Sequence, residues 1–229
     1  MRKIILILLL SLIEIFPQQK IADDLINSVI TNFNRVKDYE VDVDIKVDVE
    51  FLKVPDSKAR IYFKQPDKIK LKSDGFALLP KEGLDFSPSF LSKKDYTALY
   101  ERDVILNGIK TALVKIIPVG EQSNIILSSL WIDPLNKVIR KIESTTKTNG
   151  TFTIELFYND DLKYPLADKM IFTFNVDKIN LPKSSSTNNG IRTKKKRMPD
   201  APTKGSVIIK YSNYKVNKGL PDSIFEDKQ

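Results

Sequence analysis

The chain has 229 residues, a formal net charge of +8 and a hydrophobic fraction of 41%, enough to bury the core of one domain. It contains no cysteine and no histidine, which excludes disulfides, thiolate nucleophiles, lipidation at an N-terminal Cys and the imidazole chemistry on which most hydrolases and metalloenzymes rely. With only 8 glycines, and without a G-x-S-x-G elbow, a phosphate loop or a dinucleotide fingerprint, the chain offers no familiar catalytic motif.

Met1-Arg2-Lys3 precede an apolar run from Ile4 to Phe16, broken only by Ser11 and Glu14, and the chain turns polar at Pro17-Gln18-Gln19. Two charges, a short apolar stretch and a polar exit form the pattern of a secretory signal peptide. The run falls short of the roughly 20 residues of a spanning helix, and Glu14 would be costly in hydrocarbon. Residues 1–18 are therefore expected to be a signal peptide and 19–229 one exported, basic domain.

Ile21, Leu25, Ile26, Val29, Ile30 and Phe33 recur at helical spacing, with Asp23, Asp24, Asn27 and Ser28 on the other side, which predicts an amphipathic helix over 19–36. Val41, Val43, Ile45, Val47, Val49 and Phe51 then alternate without a slip with Asp42, Asp44, Lys46, Asp48 and Glu50. The segment 41–51 is expected to be a long strand with one dry face and one wet face. After a turn at Pro55-Asp56, 59–64 and 68–72 read as the next strands of an antiparallel meander, carrying Ile61, Phe63, Ile69 and Leu71. From 76 to 91 no period holds. Phe76, Leu78, Leu79, Leu84, Phe86, Phe90 and Leu91 stand among Pro80, Gly83 and Pro88, the composition of an apolar loop or short-helix lid.

Further strands are expected at 95–102, at 111–119 after Asn107-Gly108, at 124–132 and 137–146 around Asp133-Pro134, at 151–158 after Asn149-Gly150, and at 169–176. Residues 178–205, with Ser184-Ser185-Ser186, Asn188-Asn189-Gly190 and Lys194-Lys195-Lys196-Arg197, read as a flexible basic insertion before a last strand at 206–216. The result is a mainly β domain of about ten strands with few helices and no internal repeat.

Paired carboxylates, Asp42 with Asp44 and Asp160 with Asp161, are the residues that suggest acid–base chemistry of the glycosidase kind. The first pair lies on a wet strand face and the second in a turn, so both are expected on solvated surface, and no catalytic residue, metal site or cofactor is assigned. Lys194, Lys195, Lys196 and Arg197 are either a solvated loop or a contact for anionic headgroups. Phe76, Leu78, Leu79, Leu84, Phe86 and Phe90 either complete the core or form a movable plug. A single antiparallel sheet of about ten strands curls, and one helix covers only part of its concave face, so a cavity under the plug is the expectation. Export and the lack of any recognition module argue against a nucleic-acid partner.

Taken in order, several segments behind the N-terminal run carry a resemblance. They are the helix, the long first strand, Ile61-Tyr62-Phe63-Lys64-Gln65-Pro66-Asp67, Ser73-Asp74-Gly75, Trp131-Ile132-Asp133, and the ending Val216-Asn217-Lys218-Gly219-Leu220-Pro221-Asp222-Ser223-Ile224-Phe225. This series resembles the LolA-like superfamily, the periplasmic outer-membrane lipoprotein carriers and their relatives, over nearly the whole exported chain. The resemblance implies an unclosed, strongly curved antiparallel β-barrel capped by the N-terminal helix and a short helical or loop lid. It implies a monomeric, non-catalytic periplasmic carrier that takes acyl chains of lipoproteins or lipids from donor proteins and passes them to acceptors at the inner and outer membranes. Acyl chains are then expected against Val41, Val43, Ile45, Val47, Val49, Phe51, Ile61, Phe63, Ile69 and Leu71, with the six lid residues swinging aside. Some superfamily members use the same half-barrel for a protein partner, which is the alternative reading. The carriers place an Arg before the proline of the 61–67 segment and tie the lid closed with it; Gln65 stands there in this chain, a departure that bears on their open-and-shut cycle. The segment 76–91 is also arranged differently from the compact lid of the carriers.

Overall fold

An alternating strand has one face to bury, and among the described residues ten strands bury theirs against one another and one α-helix. The computed structural model describes residues 15–49, 55–73, 91, 95–120, 123–148, 150–159, 163–175 and 204–226. The strands are β1 (Asp38–Asp48), β2 (Ser57–Lys64), β3 (Lys68–Ser73), β4 (Tyr96–Leu106), β5 (Ile109–Pro118), β6 (Ile125–Asp133), β7 (Val138–Thr146), β8 (Thr151–Phe157), β9 (Lys169–Asn175) and β10 (Lys204–Val216). They form one sheet in the order β3-β2-β1-β10-β9-β8-β7-β6-β5-β4, antiparallel throughout. The sheet does not close: β3 and β4, consecutive in the chain, are its two edges.

A flat sheet of ten strands would be about 45 Å wide. Yet Val43 and Ile61 near one edge and Ala98 on the other edge strand belong to one buried cluster, so the sheet must curl until its inner face meets a shared core. Helix α1 (Ile15–Phe33) fills part of that concavity. Ala22, Ile26, Val29 and Phe33, spaced by three and four residues, are buried, while Ile21 is 43% exposed. The helix packs chiefly on β4, with a smaller contact on β7. None of the helices among the described residues is long and apolar enough to cross a membrane.

The helix begins earlier and ends earlier than the 19–36 read from spacing. It starts inside the segment expected to be a signal peptide, and residues 1–14 lie outside the described residues. It stops at Phe33 because the chain must enter β1: Val36 N–H turns back to Phe33 O at 2.9 Å, and Gln65 holds the exit, its Nε2 donating to Val36 O at 2.6 Å and its backbone N–H to Lys37 O at 2.9 Å. Gln65, at the position where the carriers have Arg, therefore fastens the helix-to-strand link. The Gln65–Pro66 peptide is cis.

β1 starts three residues before the expected strand, since Tyr39 and Glu40 already pair with Phe63 and Tyr62 of β2 and with Val216 and Lys215 of β10. The buried Asp38 ties this end down by accepting from the backbone N–H groups of Lys218 and Gly219. β4 runs on to Leu106, past the expected end at 102, because a bulge between Tyr100 and Arg102 takes up the charged Glu101-Arg102-Asp103 run without ending the pairing. Asn107 and Gly108, both with positive φ, turn β4 into β5 as the Asn-Gly pair predicts. The basic insertion expected over 178–205 is shorter at its end, as Lys204 and Gly205 already pair with Asn175 and Phe174 of β9; residues 176–203 lie outside the described residues.

The β6–β7 hairpin is pinned by a buried carboxylate. Asp133, 1% exposed, accepts from the backbone N–H groups of Leu135 and Asn136, from Asn136 Nδ2, and from Arg140 Nε at 3.1 Å and Nη2 at 2.8 Å. The Arg140 guanidinium lies 5.0 Å from the centre of the Tyr158 ring. At the far end of the chain, a short 3-10 turn over Asp222–Ile224 is moored to β2 and β3, with Lys64 and Lys68 on the Asp222 carboxylate and Lys70 on Glu226 O.

Candidate functional site

The antiparallel register brings the inward residues of successive strands side by side. One rung runs Tyr100, Val114, Leu130, Ile142, Ile154, Phe172, Val207, Val47, apolar or aromatic on every one of eight strands from β4 to β1. The next places Leu156, Met170, Ile209 and Ile45 together. Beyond them Val41 meets Ile61 and Leu71, and Tyr39 meets Phe63 and Ile69. The inner face is thus continuous hydrocarbon from edge to edge, broken at a few hydroxyl-bearing positions.

Of the residues expected to bind acyl chains, Val41, Val43, Ile45, Ile61 and Phe63 are at most 3% exposed and Val49 8%. Val47, Ile69 and Leu71 are half-buried on the same core. Phe51 lies outside the described residues, as do the lid residues Phe76, Leu78, Leu79, Leu84, Phe86 and Phe90 and the basic run Lys194, Lys195, Lys196 and Arg197. Leu91, at the end of the lid segment, is fully buried, and its carbonyl accepts from Tyr96 Oη at 2.8 Å.

Sequence reading missed the other half of the inner face. Phe152, Phe172 and Phe174 form a chain of tilted ring contacts 5.6 and 5.2 Å apart. Phe174 lies across Gly205, where a Cβ would stand 2.8 Å from the ring, so the missing side chain makes room for the aromatic. The signal was present, since Phe152, Ile154 and Leu156 alternate, as do Met170, Phe172 and Phe174.

Tyr211 and Tyr214 are three residues apart and would face opposite sides of a regular strand. Asn213, with φ of 57°, opens a register shift against Glu40 and Asp42, and both rings turn inward with centroids 6.1 Å apart. Tyr39 packs edge-on against Tyr214 and stacked against Phe63. Burial raises Tyr158, Tyr211 and Tyr214 above the usual phenol range, so all three are neutral at physiological pH. Burial likewise raises Asp168, partly offset by hydrogen bonds from Asn159.

Of the carboxylates considered for catalysis, Asp42 and Asp44 stand elsewhere. Asp42 accepts from Arg60 Nε at 2.7 Å and from Asn213 Nδ2 on the outer face, and these bonds hold its pKa below the usual carboxylate value. Asp44 is 3.7 Å from Lys58 Nζ. Asp160 and Asp161 lie outside the described residues. Among the described residues, no group of three or more acidic side chains is placed to hold a metal ion.

A curled, unclosed antiparallel sheet with one helix against its concave apolar face defines the class: a half-barrel. No protein-family model and no curated protein matches the sequence. Solved structures do match the fold. A DUF1329 family protein from Desulfovibrio piger superposes with a TM-score of 0.60 at 13% identity, over 91% of this chain and 97% of its own. The LolA superfamily protein NE2245 from Nitrosomonas europaea gives 0.60 at 12% identity, over 90% and 97%. A domain described as that of an outer membrane lipoprotein-sorting protein from Vibrio parahaemolyticus gives 0.59 at 13%, over 89% and 97%. The fold is LolA-like.

Proposed function

We propose that this protein is a non-catalytic carrier of the cell envelope, exported to the periplasm, which receives acyl chains of lipoproteins or lipids on the inner face of its half-barrel. The observation that carries the reading is the unbroken eight-strand rung of apolar side chains on a sheet that does not close. Such a face does what an acyl chain needs and little else: it removes hydrocarbon from water and offers no activated nucleophile. The fold shared with proteins named for LolA and for lipoprotein sorting supports the same direction.

Each methylene transferred contributes about 0.8 kcal/mol, so a chain of about sixteen carbons gains roughly 12 kcal/mol before the cost of displacing whatever covers the face. Release into water would be slow at that affinity. Delivery therefore requires direct transfer to an acceptor protein or membrane, and loading a donor at the inner membrane.

Lipid extraction and native mass spectrometry of the full-length protein taken from its own envelope test this reading. A stoichiometric acylated species is expected. A lipid-free protein that also fails to bind an uncharged hydrophobic dye would overturn it, and a stable protein complex without lipid would favour the partner-binding use of the same half-barrel.

A further inference from the structure

Ser128 of β6 and Ser144 of β7 face each other across the inner sheet surface, 6% and 2% exposed. They occupy the rung adjoining Leu130 and Ile142, between Ile116 of β5 and Phe152 of β8. Their hydroxyl oxygens are 2.7 Å apart. A mutually bonded hydroxyl pair uses one of its two protons, and the accepting hydroxyl keeps the other. Among the described residues neither serine has a further hydrogen-bond partner. A buried O–H without an acceptor opposes folding, and two alanines would pack the same rung without that cost.

The C-terminal end of the helix sits over the β6–β7 turn, where Asn32 Nδ2 donates to the carbonyls of Asn136 and Lys137. The helix packs chiefly on edge strand β4. The serines lie beside Phe152 of β8, whose ring leads through Phe172 to Phe174 of β9.

We propose that Ser128 and Ser144 are the polar anchor of the acyl site, donating their spare proton to the carbonyl oxygen of a neutral, ester-linked acyl chain whose hydrocarbon lies on Phe152, Phe172 and Phe174. A carboxylate is the poorer fit, because two hydroxyls leave a buried negative charge without a counter-ion. The inference rests on the acyl-carrier reading and adds the chemical class of the ligand and the atoms that recognise it.

The test uses the full-length protein and two probes of equal length, a fatty-acid methyl ester and the corresponding n-alkane, in competition with a fluorescent naphthylamine dye. The wild type should bind the ester about three- to tenfold more tightly than S128A/S144A does, the value of one net hydrogen bond. Affinity for the alkane should be the same in both, with the melting temperature of S128A/S144A equal to or above that of the wild type. An ester affinity that S128A/S144A leaves unchanged, or an equal fall for the alkane, overturns the anchor and leaves the carrier reading standing. Failure of the wild type to bind either probe overturns both.

Discussion

Replacing Asp133 with asparagine tests how far the β6–β7 hairpin depends on one buried ion pair. Asparagine keeps the size and one carbonyl oxygen, so the backbone N–H groups of Leu135 and Asn136 can still be served, but its amide nitrogen would confront the Arg140 guanidinium. Arg140, with a side chain 12% exposed, would then be an uncompensated buried cation. Breaking such a pair from one side costs about 3–5 kcal/mol. The Tyr158 ring at 5.0 Å softens the exposed charge, which places the expected loss near the lower end, about 3 kcal/mol, or about 10 °C in melting temperature for a domain of this size. Urea unfolding followed by the fluorescence of Trp131, the single tryptophan and two residues from the substitution, reads this directly. Adding R140M should recover most of the loss, since neither position then carries a charge. Burial alone would raise the Asp133 pKa, but Asn136 and Arg140 more than offset it and hold it below the usual 3.8. A depressed folded-state pKa stabilises fully above the unfolded value and loses that contribution as pH falls through the folded one. The penalty of D133N should therefore be largest near neutrality and shrink in acid. A loss under about 1 kcal/mol at pH 7, or no recovery in D133N/R140M, would refute the assignment of a stabilising ion pair.

Gly205→Ala should cost about 2 kcal/mol in urea unfolding, because the new methyl group must push the Phe174 ring and Val49 aside; Gly108→Ala, with open space around it but φ at +81°, should cost about 1 kcal/mol from backbone strain alone. Gln65→Ala removes the bond to Val36 O and should destabilise by about 1 kcal/mol in the same assay. On the carrier reading, Leu71→Gln should weaken binding of a fluorescent fatty acid about tenfold while the melting temperature holds, as expected for a half-buried side chain at the sheet edge.

The strands were legible because a half-buried strand writes its two faces into alternate residues. Val41 to Ile45 and Ile61 to Phe63 show this in both sequence and burial, and the hairpin at Asn107-Gly108 follows from the φ values its turn requires. What stayed hidden depends on pairing across distance. Nothing in 38–48 announces that its second neighbour is 204–216. The inward turn of both Tyr211 and Tyr214 depends on a register shift that only the partner strand defines, and the serine pair on β6 and β7 gains meaning only when the two residues stand opposite. The aromatic half of the inner face was legible but passed over, because short alternating runs such as Phe152 to Leu156 draw less notice than the long first strand.

The placement of β10 between β1 and β9 has a consequence for how the molecule is made. Without it, 38–73 and 96–175 are two separate meanders with no ladder joining them. A ribosome must finish residue 216 before the first strand can find its second neighbour, so the two meanders stay unjoined through nearly all of the synthesis. Joining strands this far apart makes folding slow relative to hairpin formation. The last strand therefore acts as a keystone: clipping it out should leave two half-arches rather than a smaller vault.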